Sequence, residues 1–221
     1  MRWRAKPWMK ERIKDFYGDG IIDDFSLDST AVFLKNKPLW LEIGTGMGRF
    51  INGMAFLYPQ VNFLGVERVT GVVYRAVEAA RQQEIGNLWF VNRDVSDVFD
   101  WLGMQSVEKI FLNFSDPWPK NRHEKKRLTH QKLLKQYQKL LVKGGEIVFK
   151  TDNEELFAWS LEQFAAMNMN LNFLSYDWHN APEYLEAADV MTEYEERFSG
   201  LGKRILRVVA DFESVNCENL A

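Results

Sequence analysis

Leu39-Trp40-Leu41-Glu42-Ile43-Gly44-Thr45-Gly46-Met47-Gly48 is the stretch that determines the fold class. A mainly apolar, strand-like run leads directly into a loop with glycine at every second position, and a helical pattern follows from Arg49 to Leu57. Glycine lets the backbone approach a ligand closely, and the first N–H groups of a helix are free to bind it. The stretch therefore predicts a strand–loop–helix unit with a ligand site at its turn.

Strands and helices alternate along the rest of the chain. Further strands are predicted at 61–67, 87–92, 109–114, 146–150, 171–176 and 204–211. Further helices are predicted at about 70–83, from a Thr129 cap to Gly144-Gly145, and from about 154 to 166. Because alternating strands and helices form parallel sheets with helical crossovers, we predict an α/β domain over 31–221. Residues 1–30 are predicted to form a basic amino-terminal arm and lead-in.

Composition excludes several classes of protein. Of the 221 residues, 46% are hydrophobic and 27% are charged, which is typical of a globular domain rather than a disordered chain. No apolar run approaches the ~18 residues of a membrane helix, and the amino terminus lacks the apolar core of a secretory signal. The single cysteine, Cys217, cannot form an internal disulfide. We therefore expect a cytoplasmic protein with no membrane contact.

Basic residues are concentrated in two segments, although the net charge is −3. Residues 1–14 contain six basic side chains and one acid, and residues 119–135 contain seven and one. These local charges of +5 and +6 suggest a polyanion site. An ordinary solvated face is the alternative.

Four acids are predicted to meet at one edge of the sheet, because each lies at or just after the end of a strand: Glu42, Glu67, Asp94 and Asp116. The glycine spacing departs from the dinucleotide pattern, since Arg49 stands at the third glycine position. That departure argues against a nicotinamide oxidoreductase. The glycine loop instead resembles the S-adenosylmethionine loop of class I methyltransferases. Helix caps are the alternative reading of each acid taken alone.

The segment Asn113-Phe114-Ser115-Asp116-Pro117-Trp118-Pro119-Lys120 is the most distinctive in the chain. Two prolines around a tryptophan restrict the backbone, so we expect Asp116 to be held at a fixed point beside an aromatic side chain. A basic run, Arg122-His123 and Lys125-Lys126-Arg127, follows it.

Together with Thr151-Asp152-Asn153 and Met191-Thr192-Glu193-Tyr194-Glu195, this segment closely resembles the bacterial tRNA (guanine-N7-)-methyltransferases. The resemblance covers nearly the whole chain, and Met47 departs from the lysine common in close relatives. It implies a Rossmann-like class I methyltransferase fold with a mostly parallel seven-stranded sheet and helices on both faces. It also implies S-adenosylmethionine as methyl donor, S-adenosylhomocysteine as product, and guanine 46 of the tRNA variable loop as target.

The resemblance assigns roles to individual residues. The cofactor side would comprise Glu42, Gly44, Gly46, Glu67, Arg93, Asp94 and Asp116. Substrate contacts would comprise Lys120, Asp152, Thr192, Glu193, Tyr194 and Glu195. Apart from the resemblance, the charge of the basic run suggests that the RNA backbone would be held by Arg122, His123, Lys125, Lys126 and Arg127. His123, His130 and His179 are too scattered to suggest a metal site, so none is expected. A monomer or a homodimer is expected.

Residue chemistry suggests the mechanism. N7 of guanine carries a free lone pair, so no general base is needed, and Asp116 is the hypothetical catalytic residue that favours positive charge on the purine. A carboxylate from Asp152, Glu193 or Glu195 can accept both N1–H and the N2 amine of guanine. Two alternatives stay open: a small-molecule methyltransferase, and a non-catalytic RNA-binding subunit on the same fold.

Overall fold

The computed structural model describes residues 7–23, 37–184 and 190–212. Seven strands form one sheet in the order β3-β2-β1-β4-β5-β7-β6. Their bounds are β1 (Leu39–Ile43), β2 (Asn62–Val66), β3 (Leu88–Val91), β4 (Val107–Asn113), β5 (Leu141–Thr151), β6 (Met169–Ser175) and β7 (Leu206–Phe212). Strands β1 to β5 pair in parallel, and β7 runs antiparallel to both β5 and β6. The predicted mostly parallel, seven-stranded α/β sheet is confirmed.

Helices cover both faces of this sheet. The described α-helices are α1 (Met9–Arg12), α2 (Arg49–Leu57), α3 (Thr70–Gln82), α4 (Phe99–Leu102), α5 (Gln131–Leu140), α6 (Glu154–Ala166) and α7 (Glu193–Gly200). Side chains that alternate along the strands divide the core in two. Phe63 belongs to the layer that contacts α1, α2 and α3, whereas Leu64 belongs to the layer that contacts α4, α5 and α6.

The topology places a crevice at the carboxyl ends of β1 and β4. The chain moves outward from β1 through β2 to β3 and then returns to β4 on the opposite side of β1. Connections on the two sides of such a switch point diverge, so ligands of open α/β sheets bind there. The acids predicted at strand ends therefore lie at one edge of the sheet, which we call the carboxyl edge.

The predicted bounds of α5 were wrong at both ends. His130, rather than Thr129, caps the helix, because its Nδ1 accepts from the backbone N–H of Lys132 at 3.0 Å. The Thr129 side chain is buried and shares a 2.7 Å hydrogen bond with Ser160. The helix ends at Leu140 and not at the glycine pair, because backbone N–H groups before β4 bond its last carbonyls and the chain turns directly into β5.

Residues 7–23 pack against the domain. Met9 and Ile13 are buried beside α3, and the backbone of Phe90 exchanges hydrogen bonds with Gly20 and Ile22. Trp8 lies edge-on to Tyr74, with ring centroids 5.5 Å apart. The division at residue 30, like the rest of the basic arm and Cys217, lies outside the described residues and stays a prediction.

Candidate active site

The innermost part of the carboxyl edge is a pair between β1 and β4. Glu42 is 2% exposed, and its Oε1 accepts from Asn113 Nδ2 at 2.8 Å. Glu42 Oε2, Asn113 Oδ1 and Thr45 Oγ1 are buried, and among the described residues none has a hydrogen-bond partner. Buried polar atoms are almost always paired, so these three acceptors are available to a donor group of a ligand.

Burial controls the charge of Glu42. Removal of the carboxylate from water raises its pKa to about 8, and this effect outweighs the hydrogen bond from Asn113 and the attraction of Lys150. Repulsion from Glu193 and Glu67 raises the pKa further, so these carboxylates act on Glu42 electrostatically across the edge.

The glycine loop and Glu67 form a second part of the site. Glu67 Oε2 accepts from the backbone N–H of Gly46 at 3.3 Å, and Oε1 accepts from that of Val69 at 2.8 Å. Burial raises the pKa of Glu67, and these backbone bonds partly offset the increase. Gly44 and Gly46 have positive φ, and a Cβ at either would meet no atom within 4 Å. The loop thus exposes its backbone to open space beside a bonded carboxylate.

Asp94 and Arg93 follow β3, and both are exposed. Asp94 caps the short 3-10 helix Val95–Asp97, because its Oδ1 accepts from the backbone N–H of Ser96 at 3.1 Å and from its hydroxyl at 2.8 Å. Asp94 is therefore a helix cap, which was the alternative interpretation of this residue. Its assignment to a cofactor stays a prediction.

Asp116 lies in a loop with an unusual backbone. Phe114 and Trp118 have positive φ values of 48° and 42°, which non-glycine residues rarely adopt. The Asp116 side chain is 72% exposed, and its Oδ2 is 3.9 Å from Arg68 Nη2. Because Arg68 follows Glu67, this contact connects the ends of β2 and β4 across β1.

Arg127 holds this loop. Its Nε donates to the carbonyl of Pro117 at 3.0 Å, its Nη2 donates to that of Trp118 at 3.2 Å, and the guanidinium lies 4.4 Å from the ring centroid of Trp159. The Arg127 guanidinium, which was predicted to hold the RNA backbone, is therefore engaged within the protein. Lys126 lies over the Trp118 ring at 4.6 Å, and His123 contacts that ring edge-on at 5.6 Å.

The other basic residues of this segment face solvent. Lys120 precedes the 3-10 helix Asn121–Lys126, and its exposed neighbours include Arg122 and Lys125. Lys132, Lys135 and Lys139 are exposed along one stripe of α5. These basic residues therefore lie on the surface of the folded protein.

The α7 segment covers the β5 side of the edge. Thr192 caps α7 and forms a capping box with Glu195. Glu195 is 1% exposed, and its carboxylate contacts Lys150 Nζ at 2.8 Å and His179 Nε2 at 3.0 Å. Glu193 is half-buried, and Tyr194 is exposed. Of the predicted substrate residues here, Glu195 is thus engaged internally, while the charge of Glu193 helps to raise the pKa of Glu42.

Asp152 also has an internal partner. Its Oδ2 lies 2.7 Å from Lys203 Nζ, which in turn lies 4.6 Å from the Phe198 ring centroid. Phe198 contacts Phe114 and Tyr194 through its ring. An aromatic and ionic contact set therefore joins α7 to the ends of β4 and β5.

Sequence reasoning missed several residues of this edge. Asn113 opens the distinctive 113–120 segment but was assigned no role, and Lys150, His179 and Arg68 carry no motif signal for the contacts that they make. Asn113 ends β4 and Lys150 nearly ends β5, so strand-end position was the available clue. The described ranges contain no cluster of three or more His, Cys, Asp and Glu side chains suited to a metal ion. Within these ranges, no helix has the length and apolar character needed to cross a membrane.

The sequence comparison identifies the family. A family model, Methyltransf_4, described as "Putative methyltransferase", matches residues 36–208. The chain belongs to this methyltransferase family. It is the family of the tRNA guanine-N7 methyltransferases, so the resemblance carried by the sequence motifs is confirmed. The chain is accordingly a class I, S-adenosylmethionine-dependent methyltransferase.

Solved methyltransferases share the fold of this family member at low sequence identity. An antibiotic-related methyltransferase has a TM-score of 0.62 and 17% identity, covering 85% of this chain and 95% of that one. A 16S rRNA (adenine(1408)-N(1))-methyltransferase from Catenulisporales acidiphilia, solved with cosubstrate SAM, has a TM-score of 0.57 and 13% identity, covering 85% and 91%. A 30S ribosomal A1408 methyltransferase from an uncultured bacterium has a TM-score of 0.60 and 12% identity, covering 86% and 96%.

Proposed function

We propose that this methyltransferase modifies N7 of guanine 46 in the variable loop of tRNA. The observation that carries the proposal is the convergence of three family motifs on one edge. The glycine loop with Glu42, the Asp116 loop and the Thr192–Glu195 turn all lie at the carboxyl ends of β1, β4 and β5. An exposed basic segment adjoins them.

The residues present fit S-adenosylmethionine. The three unpaired buried acceptors at Glu42, Thr45 and Asn113 suit its ammonium, hydroxyl and amine donors, and the open backbone at Gly44 and Gly46 admits its chain. Glu67, Arg93 and Asp94 complete the proposed cofactor side. When bound, S-adenosylmethionine supplies a sulfonium-linked methyl group, and its transfer leaves S-adenosylhomocysteine.

The protein's own contribution is orientation and electrostatics. N7 of guanine carries a lone pair in its ordinary protonation state, so no side chain has to remove a proton. Asp116 is held in a restricted loop, and its carboxylate stabilises the positive charge that develops on the purine. In this assignment Asp116 favours the transition state more than the ground state.

Guanine recognition is assigned to Glu193. Asp152 and Glu195 are paired with Lys203 and with Lys150, whereas Glu193 forms no ion pair within the described part of the chain. A carboxylate at this position accepts N1–H and N2–H together, and adenine lacks that pair of donors. Lys120, Arg122 and Lys125, which are exposed, hold phosphates, which gives salt-sensitive binding without sequence reading.

The test is to map the methylated base. Unmodified tRNA transcript is incubated with the protein and S-adenosylmethionine, and the RNA is then cleaved chemically at 7-methylguanosine. Cleavage at position 46, and its loss in a transcript with adenine there, is the expected result. Methylation of free guanosine instead would indicate the small-molecule alternative, and tRNA binding without transfer would indicate the non-catalytic one.

A further inference from the structure

A buried ion pair lies beneath the first turn of α7. Lys150 and Glu195 are each 1% exposed, and Nζ and Oε2 are 2.8 Å apart. Lysine and glutamate are almost never buried so completely unless they are paired. Apolar side chains of similar volume often stabilise a fold as well as such a pair does. Stability alone therefore does not account for the presence of this pair.

Glu195 joins three elements through its side chain and backbone. Its Oε2 contacts Lys150 of β5 and accepts from the backbone N–H of Thr192 at 3.4 Å. Its Oε1 lies 3.0 Å from His179 Nε2, in the 3-10 helix Trp178–Asn180. Its own N–H donates to Thr192 Oγ1 at 2.9 Å. The position of Glu195 thus determines that of the α7 cap.

The residues beside that cap face the carboxyl edge. Glu193 follows Thr192 and is near enough to Glu42 to repel it. Tyr194 and Phe198 continue the contact to Phe114 at the end of β4. A shift of the first turn would consequently move the side chains that we assign to substrate.

Lys150 acts on both sides of the edge. Its ammonium lies 5.1 Å from the ring centroid of Phe50 in α2 and is near enough to attract Glu42, while its hydrogen bond goes to Glu195. It therefore connects the β1 side of the edge with α7 on the β5 side.

We propose that Lys150, Glu195 and His179 form a positioning clasp that holds the first turn of α7 so that Thr192 and Glu193 face the substrate purine. None of the three is a catalytic residue in this assignment. The identity of the purine rests on the proposed function, whereas the docking of α7 does not.

The test combines amide hydrogen exchange with kinetics on Glu195→Gln, which keeps the side-chain shape and removes the charge. We expect amides of 195–199 to exchange about tenfold faster or more, while those of 147–149 in β5 change by less than about twofold. The KM for tRNA should rise about tenfold or more, and the affinity for S-adenosylhomocysteine by calorimetry should stay within about threefold.

Matched variants isolate the clasp. Glu196→Gln removes the neighbouring carboxylate, which pairs with Arg49 on the surface, and should alter neither exchange nor KM by more than about twofold. His179→Gln keeps the Lys150–Glu195 pair and should show the Glu195→Gln pattern at smaller amplitude. It also supplies the decisive measurement if Glu195→Gln does not fold.

Three outcomes would overturn the clasp. A raised KM with unchanged exchange in α7 would mean that Glu195 contacts substrate directly. Faster exchange in β5 and α7 alike would make the pair a general stabiliser. Unchanged α7 exchange in His179→Gln would show that His179 does not hold the helix, and the proposed clasp would be refuted. Inactivity of the wild-type protein on tRNA would refute the proposed function only, because the exchange comparison needs no substrate.

Discussion

At the scale of single residues, the acids at the carboxyl edge differ in burial and in the groups that they contact. Glu42 is enclosed between β1 and β4, and its pKa is raised to about 8. Asp116, in contrast, projects from a restricted loop beside the Arg68 guanidinium. Two acids at or just after the ends of neighbouring strands can therefore serve different purposes: the buried Glu42 carboxyl forms hydrogen bonds, and the Asp116 side chain stabilises positive charge.

Asp116→Asn should separate binding from chemistry. The amide keeps the shape of the side chain but removes the charge that we assign to the transition state. The single-turnover rate of methyl transfer should fall roughly tenfold to a hundredfold, with S-adenosylhomocysteine affinity changed by less than about threefold. Asp97→Asn, in an exposed acid at the same edge, is the control. An unchanged rate in Asp116→Asn would end the assignment.

Glu42→Gln should alter the dependence of stability on pH. The pKa of Glu42 is about 8 in the folded protein and 4.5 ordinarily, so between these values only the folded state keeps the proton. The free energy of unfolding therefore falls as pH rises from about 5 to about 8 and then levels off. Relative to wild type, Glu42→Gln should gain on the order of a few kcal/mol across this range. Urea unfolding at both ends of the range checks this, and parallel curves would contradict it.

At the scale of elements, the segment after β4 contains basic residues with different surroundings. Arg122 is exposed in the 3-10 helix Asn121–Lys126, whereas the Arg127 guanidinium bonds two carbonyls of the Asp116 loop. One stretch of sequence therefore supplies both a surface charge and a support for the loop.

Arg122→Gln and Arg127→Lys should affect different measurements. Loss of one phosphate contact at Arg122 should reduce the slope of log affinity for tRNA against log salt by about 0.7–0.9. Arg127→Lys keeps the charge but cannot bond both carbonyls while stacking on Trp159. It should lower the single-turnover rate about tenfold and leave the salt slope unchanged. Salt titrations of binding and single-turnover assays check both, and a normal rate in Arg127→Lys would contradict the support.

At the scale of the whole molecule, the segment 7–23, which precedes β1, contributes to the core. Met9, Ile13 and Ile21 are buried with side chains of α2, α3 and β3 in one of the two hydrophobic layers. The segment 7–23 thus contributes to the core layer that also contains α2, the helix that follows the glycine loop.

Ile13→Ala should destabilise the protein by about 2–4 kcal/mol, because it removes buried methyl groups and leaves a cavity. Lys14→Ala, at the exposed neighbour, should cost less than about 0.5 kcal/mol. Urea unfolding of both variants measures the difference. Equal stabilities would mean that the segment does not contribute to the cooperative core.

The order of strands and helices followed from the sequence because its signals are local. Apolar runs of strand length, helical periodicity and the glycine loop each occupy a few consecutive residues, and parallel pairing then brings the strand ends together. The same logic correctly placed Glu42, Glu67, Asp94 and Asp116 at one edge. It assigned no helix to Glu193–Gly200, whose capping box was the available signal.

Only the tertiary structure decided which of these side chains are paired. Glu195 meets Lys150 across 45 positions of sequence, and Asp152 meets Lys203 across 51. Likewise, α5 ends at Leu140 because the segment before β4 bonds its carbonyls, although a glycine pair follows. By itself the sequence determined the family, the element order and the edge that carries the site. Packing determined which side chains pair with each other, because a side chain's charge and orientation depend on neighbours that are distant in the chain.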